Sequence, residues 1–255
     1  MHETPERPPM FSLTGKFALV TGASGGIGSS IAQALHAQGA TVCLSGTRRE
    51  ALEAVAARLG DRAHIVTANL SDRTSVEALV AEAEKAMGGL DILVNNAGIT
   101  RDKKLVNLKP DMWQLVLRTN ISSQEAINEQ LITTGTIASG GRIVSISSIS
   151  GIAGNAGQTN YATSKAAVIG MVEAYCRDYL SKGITINAVA PGFIETKMVQ
   201  SIPFAMRQLG RRLNSLSQGG QPADVAEAVS MFLQDSSQGL TGNVLRVCGQ
   251  ALIGA

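Results

Sequence analysis

Tyr161 and Lys165 stand four residues apart in a stretch, Thr159 to Leu180, whose composition predicts a helix, so their side chains share one face. Ser148 lies thirteen residues before Tyr161, just past an apolar run that reads as a strand, and Asn120 sits inside a long helical region that begins after Pro110. These residue types suit the reduction of a ketone, which needs a hydride at carbon and a proton at oxygen. A free tyrosine has a pKa of about 10, too high for ready proton exchange near neutrality. A neighbouring Lys165 ammonium and an oxidised nicotinamide ring both favour phenolate, so they are expected to lower that pKa and make Tyr161 the general acid. Ser148 would orient and polarise the carbonyl by donating a hydrogen bond. Lys165 would also hold nicotinamide ribose hydroxyls, and Asn120 could position a water that resupplies the proton. A lone YxxxK pair turns up by chance, usually on a surface, so its meaning depends on the elements around it.

Those elements alternate short β-branched or apolar runs with longer helical stretches, the pattern of a parallel sheet wrapped by helices. Strands are predicted at Phe17 to Val20, Thr41 to Ser45, Ala63 to Thr67, Asp91 to Val94, Arg142 to Ser147, Ile184 to Val189 and Val244 to Val247. Helices are predicted from about Gly28 to Gln38 and from Arg49 to Leu59, and Val76, Leu79, Val80 and Ala83 recur at helical spacing. Gly135 to Gly141 punctuates the end of the region that starts at Pro110. Pro191 to Gly220 mixes Gly, Pro and Ser with a weak helical pattern, as expected of a mobile segment after a strand.

Directly after the first strand comes Thr21-Gly22-Ala23-Ser24-Gly25-Gly26-Ile27-Gly28. Glycines at this place let the backbone approach a pyrophosphate, while the helix that follows offers unpaired N–H groups and the positive end of its dipole. The spacing is TGxxxGxG, not the commoner GxGxxG, and a bare strand-to-helix turn could carry the same glycines. Further segments fall at the carboxyl ends of strands, where ligands of such sheets lie. They are Asn69-Leu70, Asn96-Ala97-Gly98 and Pro191-Gly192-Phe193-Ile194. At the end of the second strand, where an NAD site places a carboxylate, the chain reads Ser45-Gly46-Thr47-Arg48-Arg49. A hydroxyl and a guanidinium suit a ribose 2′-phosphate, so NADPH is expected over NADH; the plain alternative is a solvated helix start. The expected cofactor-binding set is Gly22, Ser24, Gly26, Ile27, Gly28, Thr47, Arg48, Asn69, Leu70, Asn96, Ala97, Gly98, Tyr161, Lys165, Pro191, Gly192, Ile194 and Thr196.

Composition narrows the field further. The 255 residues suffice for one large α/β domain, and 44% hydrophobic against 16% charged residues is a globular balance. A net charge of +2 and only 4% aromatics give no basic stripe with interleaved rings, so nucleic acid is not expected. Cys43, Cys176 and Cys248 are far apart and His2, His36 and His64 dispersed, so neither a disulfide framework nor a metal site is expected. No apolar run approaches the roughly 20 residues of a membrane span. Residues 1–10 are polar and proline-rich without a signal-peptide core, and are expected to be a disordered lead-in to a domain over 11–255, with Met10 a second candidate start. The cytoplasm is the expected location.

With these residues in place, the chain resembles the short-chain dehydrogenase/reductase family from Gly15 to its end. Within that family it resembles the 3-oxoacyl-ACP reductases of fatty acid synthesis. The strings that carry the likeness are Leu19 to Gly28, Asn95-Asn96-Ala97-Gly98-Ile99-Thr100-Arg101-Asp102, Gly154 to Tyr161, and Asn187-Ala188-Val189-Ala190-Pro191-Gly192-Phe193-Ile194. The resemblance implies a single Rossmann-type domain with a doubly wound, seven-stranded parallel sheet. It also implies an Asn120–Ser148–Tyr161–Lys165 tetrad, an acyl thioester substrate that could ride on acyl carrier protein, and a homotetramer built from helix pairs. Two departures bear on the carrier. Gly135 to Gly141 has no positive charge where the family is basic, although Lys182 remains at another such place. Arg211 to Leu216 and Arg246 to Ala255 resemble the high-molecular-weight 3-oxoacyl reductases, some of which reduce acyl-CoA esters. Arg211 and Arg212 could touch a carrier phosphate, or form a solvated helix face. The rival readings are a reductase of another ketone or secondary alcohol, such as a sugar, a steroid or acetoacetyl-CoA, and a silent NADP-binding sensor. The pocket of Thr100 to Lys104, Gly151 to Gly157 and Pro191 to Gly210 would choose among substrates.

Overall fold

Runs that are apolar at every position, not at alternate ones, are what a sheet buried on both faces requires. In the computed structural model, which describes residues 11–200 and 204–251, such runs (Ala18–Val20, Val42–Leu44, Ile92–Val94) form the centre of a sheet of seven strands with helices between them. In chain order these are β1 (Phe17–Thr21), α1 (Gly26–Ala37), β2 (Thr41–Gly46), α2 (Arg49–Leu59), β3 (Ala63–Thr67), α3 (Arg73–Met87) and β4 (Leu90–Asn95). There follow α4 (Pro110–Leu117), α5 (Ser123–Thr133), β5 (Ile137–Ile146), α6 (Ile149–Ala153), α7 (Thr159–Asp178) and β6 (Thr185–Pro191). The chain continues through α8 (Lys197–Gln200), α9 (Phe204–Arg212), α10 (Pro222–Leu233) and β7 (Val244–Val247). The lead-in expected at residues 1–10 and the last four residues lie outside the described residues.

The strands are all parallel, in the order β3-β2-β1-β4-β5-β6-β7. Alternation of side chains sends Ala18, Val20, Val42, Leu44, Ile92 and Val94 to one face, against Ile31 and Leu35 of α1, Leu52 of α2 and Val225 and Val229 of α10. Leu19, Cys43, Leu93 and Ile143 point the other way, onto Val76 and Leu79 of α3, Leu131 of α5 and Val172 of α7. This is the doubly wound single domain that the resemblance implies. Strand order reverses at β1, whose neighbours are β2 and β4, so a crevice opens beyond their carboxyl ends.

Three local readings are corrected. The first helix begins at Gly26, two residues earlier than predicted, because Gly25 in an extended conformation (φ −78°, ψ 164°) is its N-cap. Residues 137–141 are not merely punctuation but the first half of β5: Ile137 pairs with Leu90, and the register then shifts before Arg142 pairs with Ile92. Gly140, at φ +82°, supplies the backbone that this irregularity needs. The helical region after Pro110 is broken at Arg118–Ser122 by a π turn, in which the Ser123 N–H bonds to the Arg118 carbonyl, and Asn120 lies inside it. Such wide turns recur at functional sites.

Candidate active site

The phosphate turn is assembled by close backbone approach. Gly22 has φ +64°, and a Cβ there would lie 2.8 Å from Ala97 Cα. A Cβ on Gly28 would lie 2.3 Å from the Gly22 carbonyl oxygen and 2.6 Å from Asn96 Nδ2, so only glycine lets α1 start so near β4. Thr21 Oγ1 accepts from the N–H groups of Asn96 and Ala97, both at 3.0 Å, and Asn96 Nδ2 donates to the Thr21 carbonyl at 2.8 Å. These bonds tie the ends of β1 and β4 into one frame. Gly25 provides no side-chain cap, and the first turn of α1 holds no acidic residue. Its N–H groups and dipole are therefore free for an anion.

A cavity of about 310 Å³ opens along this frame. Gly22 and Ser24 line it, with Thr47 beyond β2, Asn69 and Leu70 beyond β3, and Ala97 and Gly98 beyond β4. Arg48 is the exposed N-cap of α2, next to Thr47 at that end. Arg49 instead pairs with Glu53 at 3.7 Å. Thr196 reaches the turn from the segment after β6: a Cβ on Gly26 would lie 3.0 Å from its Cγ2. Ile194 is buried and bridges to Gly220, while Pro191 ends β6 and Gly192 packs on Cys248. Gly26, Ile27, Gly28 and Asn96 shape the turn from behind and do not line the cavity.

On the other side of Gly98 sits the polar cluster. A Cβ on Gly98 would lie 3.3 Å from Lys165 Nζ and 3.5 Å from Asn120 Oδ1. Lys165 Nζ donates to the Ile146 carbonyl at 2.6 Å and lies 5.7 Å from the centre of the Tyr161 ring. Burial pulls the Lys165 pKa down from 10.5 to about 8. For Tyr161 the expected lowering does not hold in the protein alone. Burial raises its pKa, hydrogen bonding by Ser148 pulls it back in part, and the Asp102 charge raises it again. Lys165 is not among the causes, and the Tyr161 hydroxyl stays protonated at neutral pH. Ser148 Oγ accepts the Ser150 N–H at 3.1 Å, which caps α6 and leaves the Ser148 proton free to donate.

Asn120 is placed beside this group, but its carboxamide is committed elsewhere. Its Oδ1 accepts from Ile99 N at 2.9 Å, and its Nδ2 donates to the Ile99 carbonyl and to Ser164 Oγ, both at 3.0 Å. Both Nδ2 hydrogens are thus used, so the side chain has no donor left for the expected water. Residues not singled out from sequence complete the site. Ser147 Oγ donates to the Lys165 carbonyl at 2.7 Å, and a Cβ on Gly151 would lie 2.6 Å from the Lys165 carbonyl carbon, so β5 and α6 are clamped to α7. Asn160 Nδ2 donates to the Arg101 carbonyl at 3.1 Å. Their signal was adjacency to Ser148 and Tyr161, but adjacency alone does not name a partner. No cluster of His, Cys, Asp and Glu fit for a metal exists among the described residues.

A dinucleotide crevice at a strand-order reversal, flanked by a buried lysine and a protonated tyrosine, defines an oxidoreductase of Rossmann type. The family model for short chain dehydrogenase matches residues 16–206, and the chain belongs to that family. Nodulation protein G of Rhizobium sp. (strain N33) is 43% identical over 240 residues, covering 94% of this chain and 98% of that protein. The 3-oxoacyl-[acyl-carrier-protein] reductase FabG of Haemophilus influenzae is 38% identical over 239 residues, covering 93% and 98%. A blue fluorescent protein from a metagenomic library, solved in complex with NADPH, superposes with a TM-score of 0.88 at 32% identity, covering 93% of this chain and 98% of that one. No helix among the described residues is long and apolar enough to cross a membrane.

Proposed function

We propose that this chain reduces a 3-oxoacyl thioester, carried on acyl carrier protein or CoA, to the 3-hydroxyacyl thioester with NADPH. The observation that carries this reading is the convergence of Ser148, Tyr161 and Lys165 beside Gly98, at the end of a crevice whose far end bears Thr47 and Arg48. The residues fit the dinucleotide: Gly22 and Gly28 let the turn close against Ala97 and Asn96 where a Cβ would clash, which leaves the start of α1 facing the crevice, and the end of β2 offers the Arg48 guanidinium and the Thr47 hydroxyl in place of a carboxylate. When bound, the nicotinamide supplies the hydride.

The chain's own groups handle the proton. Ser148 donates to the substrate oxygen and fixes its direction. Tyr161, held protonated by burial, gives its proton to that oxygen as charge develops there. Lys165 brings a positive charge next to the phenolate left behind, and its pKa of about 8 keeps it mostly cationic at neutral pH. Kinship with the reductase of Haemophilus influenzae supports the thioester substrate and a place in fatty acid synthesis. The NADPH-bound structural relative supports the cofactor. The homotetramer of helix pairs and the cytoplasmic location remain part of this same proposal. A reductase of another small ketone would use the same cluster.

The test is loss of NADPH absorbance with acetoacetyl-CoA and, in parallel, with acetoacetyl-ACP. Oxidation with either thioester, and comparatively poor use of free ketones, supports the reading. Turnover confined to free ketones or sugars would replace it with the other-ketone reading, and NADPH binding without turnover on any ketone would point to the silent sensor.

A further inference from the structure

The loop after β4 reads Thr100-Arg101-Asp102-Lys103-Lys104, and all of Arg101 to Lys104 is exposed. Three of these four side chains are cationic, a local density that the chain's net charge of +2 does not lead one to expect. The backbone of the loop is pinned to the start of α7, two residues from Tyr161. Asn160 Nδ2 holds the Arg101 carbonyl at 3.1 Å, and Gln158 Nε2 holds the Asp102 carboxylate at 2.8 Å. Arg101 also lines the cavity. Lys103 and Lys104 enter none of the ion pairs among the described residues. The result is a cationic lip on a fixed base at the mouth of the site, reinforced by the N-terminal end of the 20-residue α7.

Resting on the thioester reading above, we propose that this lip is the docking point for the phosphates of a CoA thioester. Of the other cations considered for a carrier, Arg211 pairs with Glu195 at 2.6 Å and Lys182 Nζ donates to the Ile132 carbonyl at 3.1 Å, while Arg212 is a single exposed residue at the end of α9. Residues 135–141 carry no positive charge. A protein carrier would need a broad complementary surface, roughly 800 Å² on each partner. Three cations within four residues match the few phosphates of one small molecule instead. Three residues of chain span at most about 11 Å, so Lys103 and Lys104 stay within that reach of Arg101, whose carbonyl Asn160 holds next to Tyr161.

The test compares wild type with Lys103→Glu/Lys104→Glu on acetoacetyl-CoA and on the N-acetylcysteamine thioester of acetoacetate, which lacks phosphate. The lip requires KM for acetoacetyl-CoA to rise roughly tenfold, equivalent to 1.4 kcal/mol, with kcat and the KM for NADPH unchanged. Of the loop expected to line the substrate pocket, Arg101 lines the cavity and Lys103 and Lys104 do not, so the N-acetylcysteamine ester should lose nothing, and added salt should weaken wild type towards the variant. Equal losses on both esters, or none on the CoA ester, overturn the proposal, as does a loss confined to acetoacetyl-ACP. If wild type reduces neither thioester, the function reading fails first. Calorimetry of CoA binding to the NADPH complex then decides the lip: binding lost in the variant upholds it, and no binding to wild type ends it.

Discussion

Lys165 offers a direct test of the site's electrostatics without any substrate. Its ammonium is buried, with the Ile146 carbonyl as its hydrogen-bond acceptor, and its pKa falls from 10.5 to about 8 on folding. The unfolded chain therefore binds more protons than the folded one between those values, and stability contributed by this group rises with pH across that window. The gap, at 1.36 kcal/mol per pH unit, corresponds to a penalty of about 3 kcal/mol for keeping the charged form buried, fully present below pH 8. Roughly 2 kcal/mol of it should be relieved between pH 7 and 9.5. Lys165→Met keeps the stem's bulk and removes the titration. Urea denaturation of both proteins without cofactor, at one fixed concentration, should give a difference in ΔG, wild type minus variant, that moves in favour of wild type as pH rises from 7 to 9.5. Every other titrating group is common to the two. A constant difference would refute a lysine titrating near 8, and a difference that moves in favour of the variant as pH rises would mean that its pKa is raised instead.

Other consequences concern binding and turnover. Tyr161→Phe should all but abolish reduction, by roughly 10²–10⁴-fold on the scale of general acid catalysis, while fluorescence titration shows NADPH affinity within a few-fold of wild type; retained turnover would remove Tyr161 from its role. Arg48→Glu should raise KM for NADPH by roughly tenfold or more, consistent with charge-assisted bonds of about 1.5–3 kcal/mol, and leave NADH unchanged. Loss of both cofactors alike would contradict a 2′-phosphate contact. Gly28→Ala places a Cβ 2.3 Å from the Gly22 carbonyl oxygen, so the turn must open. Weakened NADPH binding and a lower Tm in thermal scans are expected, and an unchanged protein would show that the turn is not tightly built.

Much was readable along the chain because the relevant physics is local. The glycines of Gly22 to Gly28 and the four-residue spacing of Tyr161 and Lys165 depend on backbone conformation and helical pitch, which neighbouring residues set. Strand runs such as Phe17 to Val20 were visible because a sheet covered on both faces demands apolar residues at successive positions. The missing carboxylate after β2 was likewise a matter of residue type at a strand end.

Other features depended on residues far apart in sequence. The π turn at Arg118–Ser122 and the bonding of the Asn120 carboxamide to Ile99 and Ser164 have no local signature. Nor does the register shift that extends β5 back to Ile137, which is set by pairing with β4. In the protein alone the Tyr161 pKa moves opposite to the lowering expected with lysine and nicotinamide together, because a charge four residues away can be counted from sequence, whereas desolvation cannot. Burial is a property of everything packed around a group, so residue types and spacing named the chemistry, and only the folded neighbourhood decided how each group titrates and what it is free to bind.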